Sequence, residues 1–258
     1  MVALIFFVLG LVVGSFLNVL IDRLPRGQTV IWGRSRCDFC HQTLRWFELI
    51  PVLSYFLQRG RCRHCHKLLP AQYPLIELVT AGLFTFFGLQ FYHINMLTRE
   101  YIHLFSVFLI ISSLVVIFVI DFKHQIISDN MLVLGFVGIL SAYLASPWPS
   151  LGRTLPYLIS AASGASFFLL LWLVTRGRGL GLGDVKLVFL LGLILGYPGI
   201  IIGLYGAFLT GAIAGVILIL ARKKTLKSRI AFGPFLIVGA LIAILWGKQL
   251  IGWWQGLI

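Results

Sequence analysis

The run YIHLFSVFLIISSLVVIFVI, residues 101–120, ends directly on Asp121-Phe122-Lys123-His124-Gln125-Ile126-Ile127-Ser128-Asp129. Twenty largely apolar residues are enough to cross a bilayer as one helix. The aspartate at the end of the run therefore marks the seam between hydrocarbon and water. A second seam has the same form: Gly181-Leu182-Gly183-Asp184-Val185-Lys186 opens another apolar run. Working outward, runs of this kind fill most of the chain, and acid is scarce between them.

Composition agrees with that reading. Of 258 residues, 59% are hydrophobic and 11% charged, too few to clothe a soluble domain of this size. The expected fold class is an all-α polytopic membrane protein with about eight transmembrane helices. The spans fall at roughly 2–21, 73–92, 101–120, 131–145, 155–174, a shorter one after Asp184 ending at Gly196-Tyr197-Pro198-Gly199, one from there to 220, and 232–251. The first lacks a preceding basic segment and reads as a retained helix, not a cleavable signal. Gly14, Ser15 and Asn18 on its second half suggest close packing or a cavity wall. Trp148 and the pair Trp253-Trp254 are expected at membrane interfaces.

The net charge of +13 is distributed by topology, so no nucleic-acid partner is expected. With the N-terminus outside, eighteen of the twenty-one Lys and Arg fall in inside segments: nine in 22–72, Lys123, three in 176–186 and five in 222–229. Only Arg99, Arg153 and Lys248 fall outside. That asymmetry fixes orientation and sets Asp121 and Asp184 at one face, the cytoplasmic one. Lipids with anionic headgroups are expected partners of the basic first loop.

Residues 22–72, between helices 1 and 2, form a small cytoplasmic loop domain. All four cysteines lie there, as Cys37-Asp38-Phe39-Cys40 and Cys62-Arg63-His64-Cys65. Two Cys-x-x-Cys pairs at this distance fold back to offer four thiolates tetrahedrally, the closed geometry of structural Zn²⁺. A reducing compartment argues against disulfides. His41, His64 and His66 are possible substitute ligands.

Asp121 and Asp184 are two of eight acidic residues. Carboxylates at a membrane edge are costly, and two placed together cannot both ionise cheaply. The charged one takes a proton from water while the protonated one polarises a scissile carbonyl. Gly181 and Gly183 permit close backbone approach beside Asp184, with Lys186 as a supporting charge. A capping role explains the same residues: Asp184 at a helix start and Asp121 ending one beside Lys123. The residues alone leave both readings open. A proton-coupled transporter is the runner-up, but it would place polar residues near mid-span and carry an internal repeat. A zinc-stabilised membrane scaffold leaves the aspartates unexplained.

In combination the motifs resemble the type IV prepilin leader peptidase family. Gly14-Ser15-Phe16-Leu17-Asn18-Val19-Leu20-Ile21-Asp22-Arg23-Leu24-Pro25 looks like its N-terminal signature. The paired cysteines, Tyr73-Pro74-Leu75-Ile76-Glu77-Leu78, the segment at Asp121, Gly-x-Gly-Asp at Asp184 and Phe232-Gly233-Pro234-Phe235-Leu236 follow in the family's order. The resemblance implies a bacterial inner-membrane aspartyl protease with Asp121 and Asp184 as its catalytic pair. It would remove the short basic leader of type IV prepilins or type II secretion pseudopilins, cutting after the leader glycine at the cytoplasmic face. It also implies N-methylation of the new terminus with S-adenosylmethionine, for which Glu77, in the first turn of its helix, and Gly14 and Asn18 are candidates. No glycine-rich nucleotide-binding signature supports that activity independently. The division expected is residues 1–21 as the first helix, 22–72 as the zinc-binding loop domain sharing the methyltransferase part with its flanking helices, and 73–258 as helices 2–8. The peptidase core would lie at about 101–221. Ser128, Asp22 and Ala231 depart from the family's usual residues at their positions.

Overall fold

A computed structural model describes residues 1–30, 33–92, 98–145, 151–177, 179–222 and 230–255. The expected turn at 146–150 with Trp148, Arg178, and the basic loop at 223–229 lie outside the described residues, as does the side chain of Trp254. The described chain is almost entirely helical. In order come α1 (Val2–Arg23), α2 (Leu53–Leu57), α3 (Gln72–Phe91), α4 (Thr98–His124), α5 (Asp129–Ala145), α6 (Leu151–Thr175), α7 (Leu182–Leu220) and α8 (Gly233–Gln255). Two antiparallel bridges, Arg36 with Thr43 and Arg61 with Leu68, are the β pairing among the described residues.

Six of these helices are long and apolar enough to cross a membrane, and α5 is a shorter apolar helix of 17 residues. The 39-residue α7 is broken at Gly196 (φ 62°, ψ −173°) and Tyr197 (φ −91°, ψ 138°). Only glycine takes the Gly196 conformation without strain, and a Cβ there would press on the Tyr157 ring at 2.8 Å. The two halves of α7 occupy the expected sixth and seventh spans. Counted with α5, they complete the eight segments read from hydropathy. Boundaries moved in two instructive places. Helix α4 continues through Asp121 to His124, so Asp121 sits inside the last turns of the helix and not after its end. Helix α3 starts at Gln72, which puts Glu77 in its second turn and not its first.

The chain divides into two compact units, Met1–Val116 and Ile117–Ile258. In the first, α1 lies along α3 with almost no side chain between them. A Cβ on Gly10 would come within 2.5 Å of Ala81 Cα, and one on Gly14 within 2.8 Å of Glu77 Cα. These two glycines, four residues apart, form a small-xxx-small stripe. Helices in lipid gain no hydrophobic drive toward one another and associate through such close van der Waals packing. Asn18 Nδ2 closes the lower end of the seam by donating to the carbonyls of Gly14 (3.3 Å) and Tyr73 (3.1 Å). In the second unit α7 packs against both α6 and α8 by the same device. Any side chain on Gly192 would overlap Ala161, and any on Gly239 would overlap the Gly203 carbonyl.

Substituting Gly10 by Leu should separate α1 from α3 and destabilise the first unit by about 1–3 kcal/mol, the usual cost of overpacking. A lowered unfolding midpoint in detergent reads this directly, and an unchanged midpoint would contradict the packing.

Candidate functional sites: a carboxylate pair, a tetrathiolate and a polar cavity

Asp121 and Asp184 both belong to the second unit and are buried, 4% and 8% exposed. Each is held by a glycine N–H. Gly233 N donates to Asp121 Oδ2 at 2.9 Å, and Gly181 N donates to Asp184 Oδ2 at 2.9 Å. Asp184 is the third residue of α7, so its bond to Gly181 is a helix-start contact of the capping-box kind. Glycine has no side chain to complete the box. The capping geometry is thus present, yet it engages only Oδ2.

The bond to Gly233 has no such local explanation, since 112 residues separate the partners. It needs glycine: a Cβ at 233 would stand 2.6 Å from Asp121 Oδ2. Pro234 follows in the first turn of α8, where its fixed φ suits a helix start. Ile127 joins the two halves of the site. Its side chain would meet a Cβ on Gly183 at 2.9 Å and one on Gly233 at 3.5 Å. The residue before Asp184 and the residue that anchors Asp121 therefore rest on one isoleucine.

The supporting residues separate by role. Gly181 anchors Asp184, and Gly183 makes room for Ile127. Lys186 Nζ lies 2.7 Å from Asp129 Oδ1, with both side chains largely exposed. That pair ties the start of α7 to the start of α5, but an exposed ion pair contributes only about 0–1 kcal/mol.

The four cysteines are free thiols whose sulfurs all lie within 4.8 Å of one another. Cys37 Sγ and Cys65 Sγ are 3.9 Å apart, close to the roughly 3.8 Å that a tetrahedral ion with bonds of about 2.3 Å to sulfur demands. They can hold one metal ion, and no histidine joins the group among the described residues. Burial pushes the Cys62 thiol up, but the N–H groups of Cys65 and His64 and the neighbouring thiols outweigh it and lower it to about 7. At Cys40 the Gln42 N–H lowers the thiol, but burial and the three neighbouring thiols outweigh it and push it up to about 11, so the four sulfurs titrate as a group.

The cysteines sit on two copies of one structural unit, which the sequence reading missed. Cys37 N bonds to Gln42 O and His41 N to Cys37 O, just as Cys62 N bonds to Lys67 O and His66 N to Cys62 O. Leu44 N to Ser35 O matches Leu69 N to Gly60 O. His41 (φ 56°) and His66 (φ 55°) make the same turn after the second cysteine of each pair. The repeated Arg-Cys-x-x-Cys-His at 36–41 and 61–66 was the available signal.

Below these knuckles the first unit encloses a cavity of about 810 Å³ lined by Asn18, Asp22, Glu48, Tyr55, Tyr73 and Glu77 among others. Glu77, 7% exposed, accepts a hydrogen bond from Val52 N at Oε2 (2.6 Å). Tyr73 Oη donates toward Asp22 Oδ2 (3.1 Å) and lies 3.5 Å from Asp38 Oδ2. The candidates Asn18 and Glu77 reach this cavity. Gly14 does not line it and instead lets α3 approach, so its place is in the packing. Glu48, 7% exposed, was not singled out from the sequence. It caps its own turn through Arg45 N (2.7 Å) and stands 3.8 Å from His64 Nε2.

Together these features define a multi-pass helical membrane protein with a buried carboxylate pair in one unit and a tetrathiolate over a polar cavity in the other. The chain belongs to the type IV leader peptidase family. Residues 108–216 match that family's pattern, and residues 8–91 match the bacterial peptidase A24 N-terminal domain. Several proteins named prepilin leader peptidase/N-methyltransferase are similar to it over most of their length. One from Bacillus subtilis is 32% identical over 97% of this chain and 96% of its own. Those from Aeromonas hydrophila and Pseudomonas aeruginosa are each 32% identical, covering 96% and 94% of this chain and 92% and 89% of their own. No solved structure matches the chain.

If the four thiols share one ion, Cys37→Ser and Cys62→Ser should each yield purified protein depleted of the metal that elemental analysis finds in the unsubstituted chain. Full retention in both variants would rule out a four-cysteine site.

Proposed function

We propose that this protein is a membrane aspartyl endopeptidase that removes the basic leader of type IV prepilins or type II secretion pseudopilins, cutting after the leader glycine. Asp121 and Asp184 are its catalytic pair. The observation that carries this is their arrangement: two buried carboxylates, each held through Oδ2 by a glycine N–H and braced by one isoleucine. The pair shares one proton. The charged carboxylate takes a proton from the attacking water while its protonated partner donates to the scissile carbonyl oxygen. The tetrahedral intermediate collapses as the amine of the mature pilin leaves with a proton. Gly233 and Gly181 keep the Oδ2 atoms fixed, so the carboxyl groups need not reorganise between steps.

A second activity, N-methylation of that new amine, is supported by the names of the similar proteins and by the cavity of the first unit. Its volume lies within the range of small-molecule sites. S-adenosylmethionine supplies an electrophilic methyl group to such a reaction. Asn18 and Glu77 line the site, and Glu77 is suited to hold the amine's departing proton. The metal of the tetrathiolate is zinc, in a closed structural site. Residues 22–72 with α1 and the start of α3 form the methyltransferase part, and about 101–221 the peptidase core. The chain lies in the bacterial inner membrane with its N-terminus outside. Both sites face the cytoplasm, where the excess of Lys and Arg meets anionic lipid.

In detergent or nanodiscs with a prepilin, Asp121→Asn and Asp184→Asn should each lower leader cleavage by about a hundredfold or more, with helicity unchanged. Full cleavage by either variant would sink the pair. Gly233→Ala leaves both carboxylates in place but intrudes on Asp121, so cleavage should also fall steeply. Normal turnover would show the Gly233 contact to be idle. On pre-cleaved pilin, Glu77→Gln should depress methyl transfer from labelled S-adenosylmethionine while cleavage of intact prepilin continues. Equal loss of both would mark Glu77 as a fold residue.

A further inference from the structure

Residues 45–59 of the first unit form a two-faced hairpin whose outer face neither proposed activity uses. Its inner face is polar and lines the cavity through Glu48, Ser54, Tyr55 and Gln58. Its outer face is apolar and bare: Trp46 is 78% exposed, Leu53 53%, Phe56 64% and Leu57 70%. An exposed apolar patch of this kind marks a contact surface. The hairpin is pinned in this attitude. Val52 adopts φ 61°, ψ −52°, a strained turn for a β-branched residue, with Leu53 N bonded to Pro51 O. The Glu77 carboxylate holds the turn by accepting from Val52 N.

We propose that the outer face of 45–59 rests in the headgroup–acyl boundary of the bilayer as an interfacial anchor. The occupant follows from three features. The module hangs between α1, which ends at Arg23, and α3, which begins at Gln72. Both helices are apolar enough to span the membrane, so the bilayer surface is within reach at both ends. The outward residues are Trp, Phe and Leu, the composition of segments that lie in an interface. Cations accompany the segment: Arg45 and Arg59 stand at its two ends in sequence, and Arg63 lies over the Phe47 ring at 5.1 Å. Such side chains extend along apolar surface while their charge meets anionic headgroups. Anchoring there would fix the mouth of the cavity at the membrane surface.

The full chain in single-copy nanodiscs tests this without reference to either activity. Trp46 is one of seven tryptophans, so its signal is the difference between the unsubstituted protein and Trp46→Phe. Shallow brominated lipid should quench that difference component, and aqueous acrylamide should not. The substitution should lower the absolute lipid-quenchable emission by one tryptophan's share. Leu57→Trp in the Trp46→Phe background should restore it, which guards against a local effect of the first substitution. Quenching of Trp46 by acrylamide alone would mean a solvated face and overturn the proposal. Shielding from both quenchers would mean that protein covers the face, and would overturn it equally.

Discussion

Close backbone approach through glycine is the constraint on which this structure depends. Among apolar helices in lipid there is no hydrophobic gain from association, so contact must come from packing and from polar groups placed exactly where backbones meet. Gly10 and Gly14 set α1 on α3. Gly192, Gly203 and Gly239 do the same for α6, α7 and α8. At Gly233 the device changes purpose, because the space freed by the missing side chain is filled by a carboxylate oxygen. The same rule that packs the helices thus builds the site.

Burying a carboxylate is unfavourable unless hydrogen bonds replace those lost from water. Among the described residues, one backbone N–H per carboxylate offsets part of that cost. A pure capping role would need only the Gly181–Asp184 contact. The Gly233–Asp121 contact is different in kind, since it requires α8 to arrive at α4 across 112 residues of chain. The capping reading accounts for the Asp184 contact but not for this long-range bond.

The first unit follows a parallel logic with different chemistry. Two knuckles with matching hydrogen bonds bring four sulfurs within 4.8 Å of one another beside a cavity. Glu77 joins the layers: it lies on α3 where Gly14 crosses, lines the cavity, and fastens the Val52 turn. A residue with that many contacts has a structural role whatever else it does. Its proposed part in methyl transfer is therefore to be read from the ratio of the two activities.

The sequence by itself determined the class, because twenty-residue apolar runs admit few fates, and it determined the cysteine arrangement through local spacing. It placed the carboxylates at the ends of spans, and the order of motifs carried the family resemblance. What it could not supply was anything that joins residues distant in the chain. The Gly233 anchor, the Ile127 brace and the carboxylate hold on Val52 have no periodic or local signature in residue order. They exist only once helices cross, since which backbone N–H meets which oxygen is settled by packing.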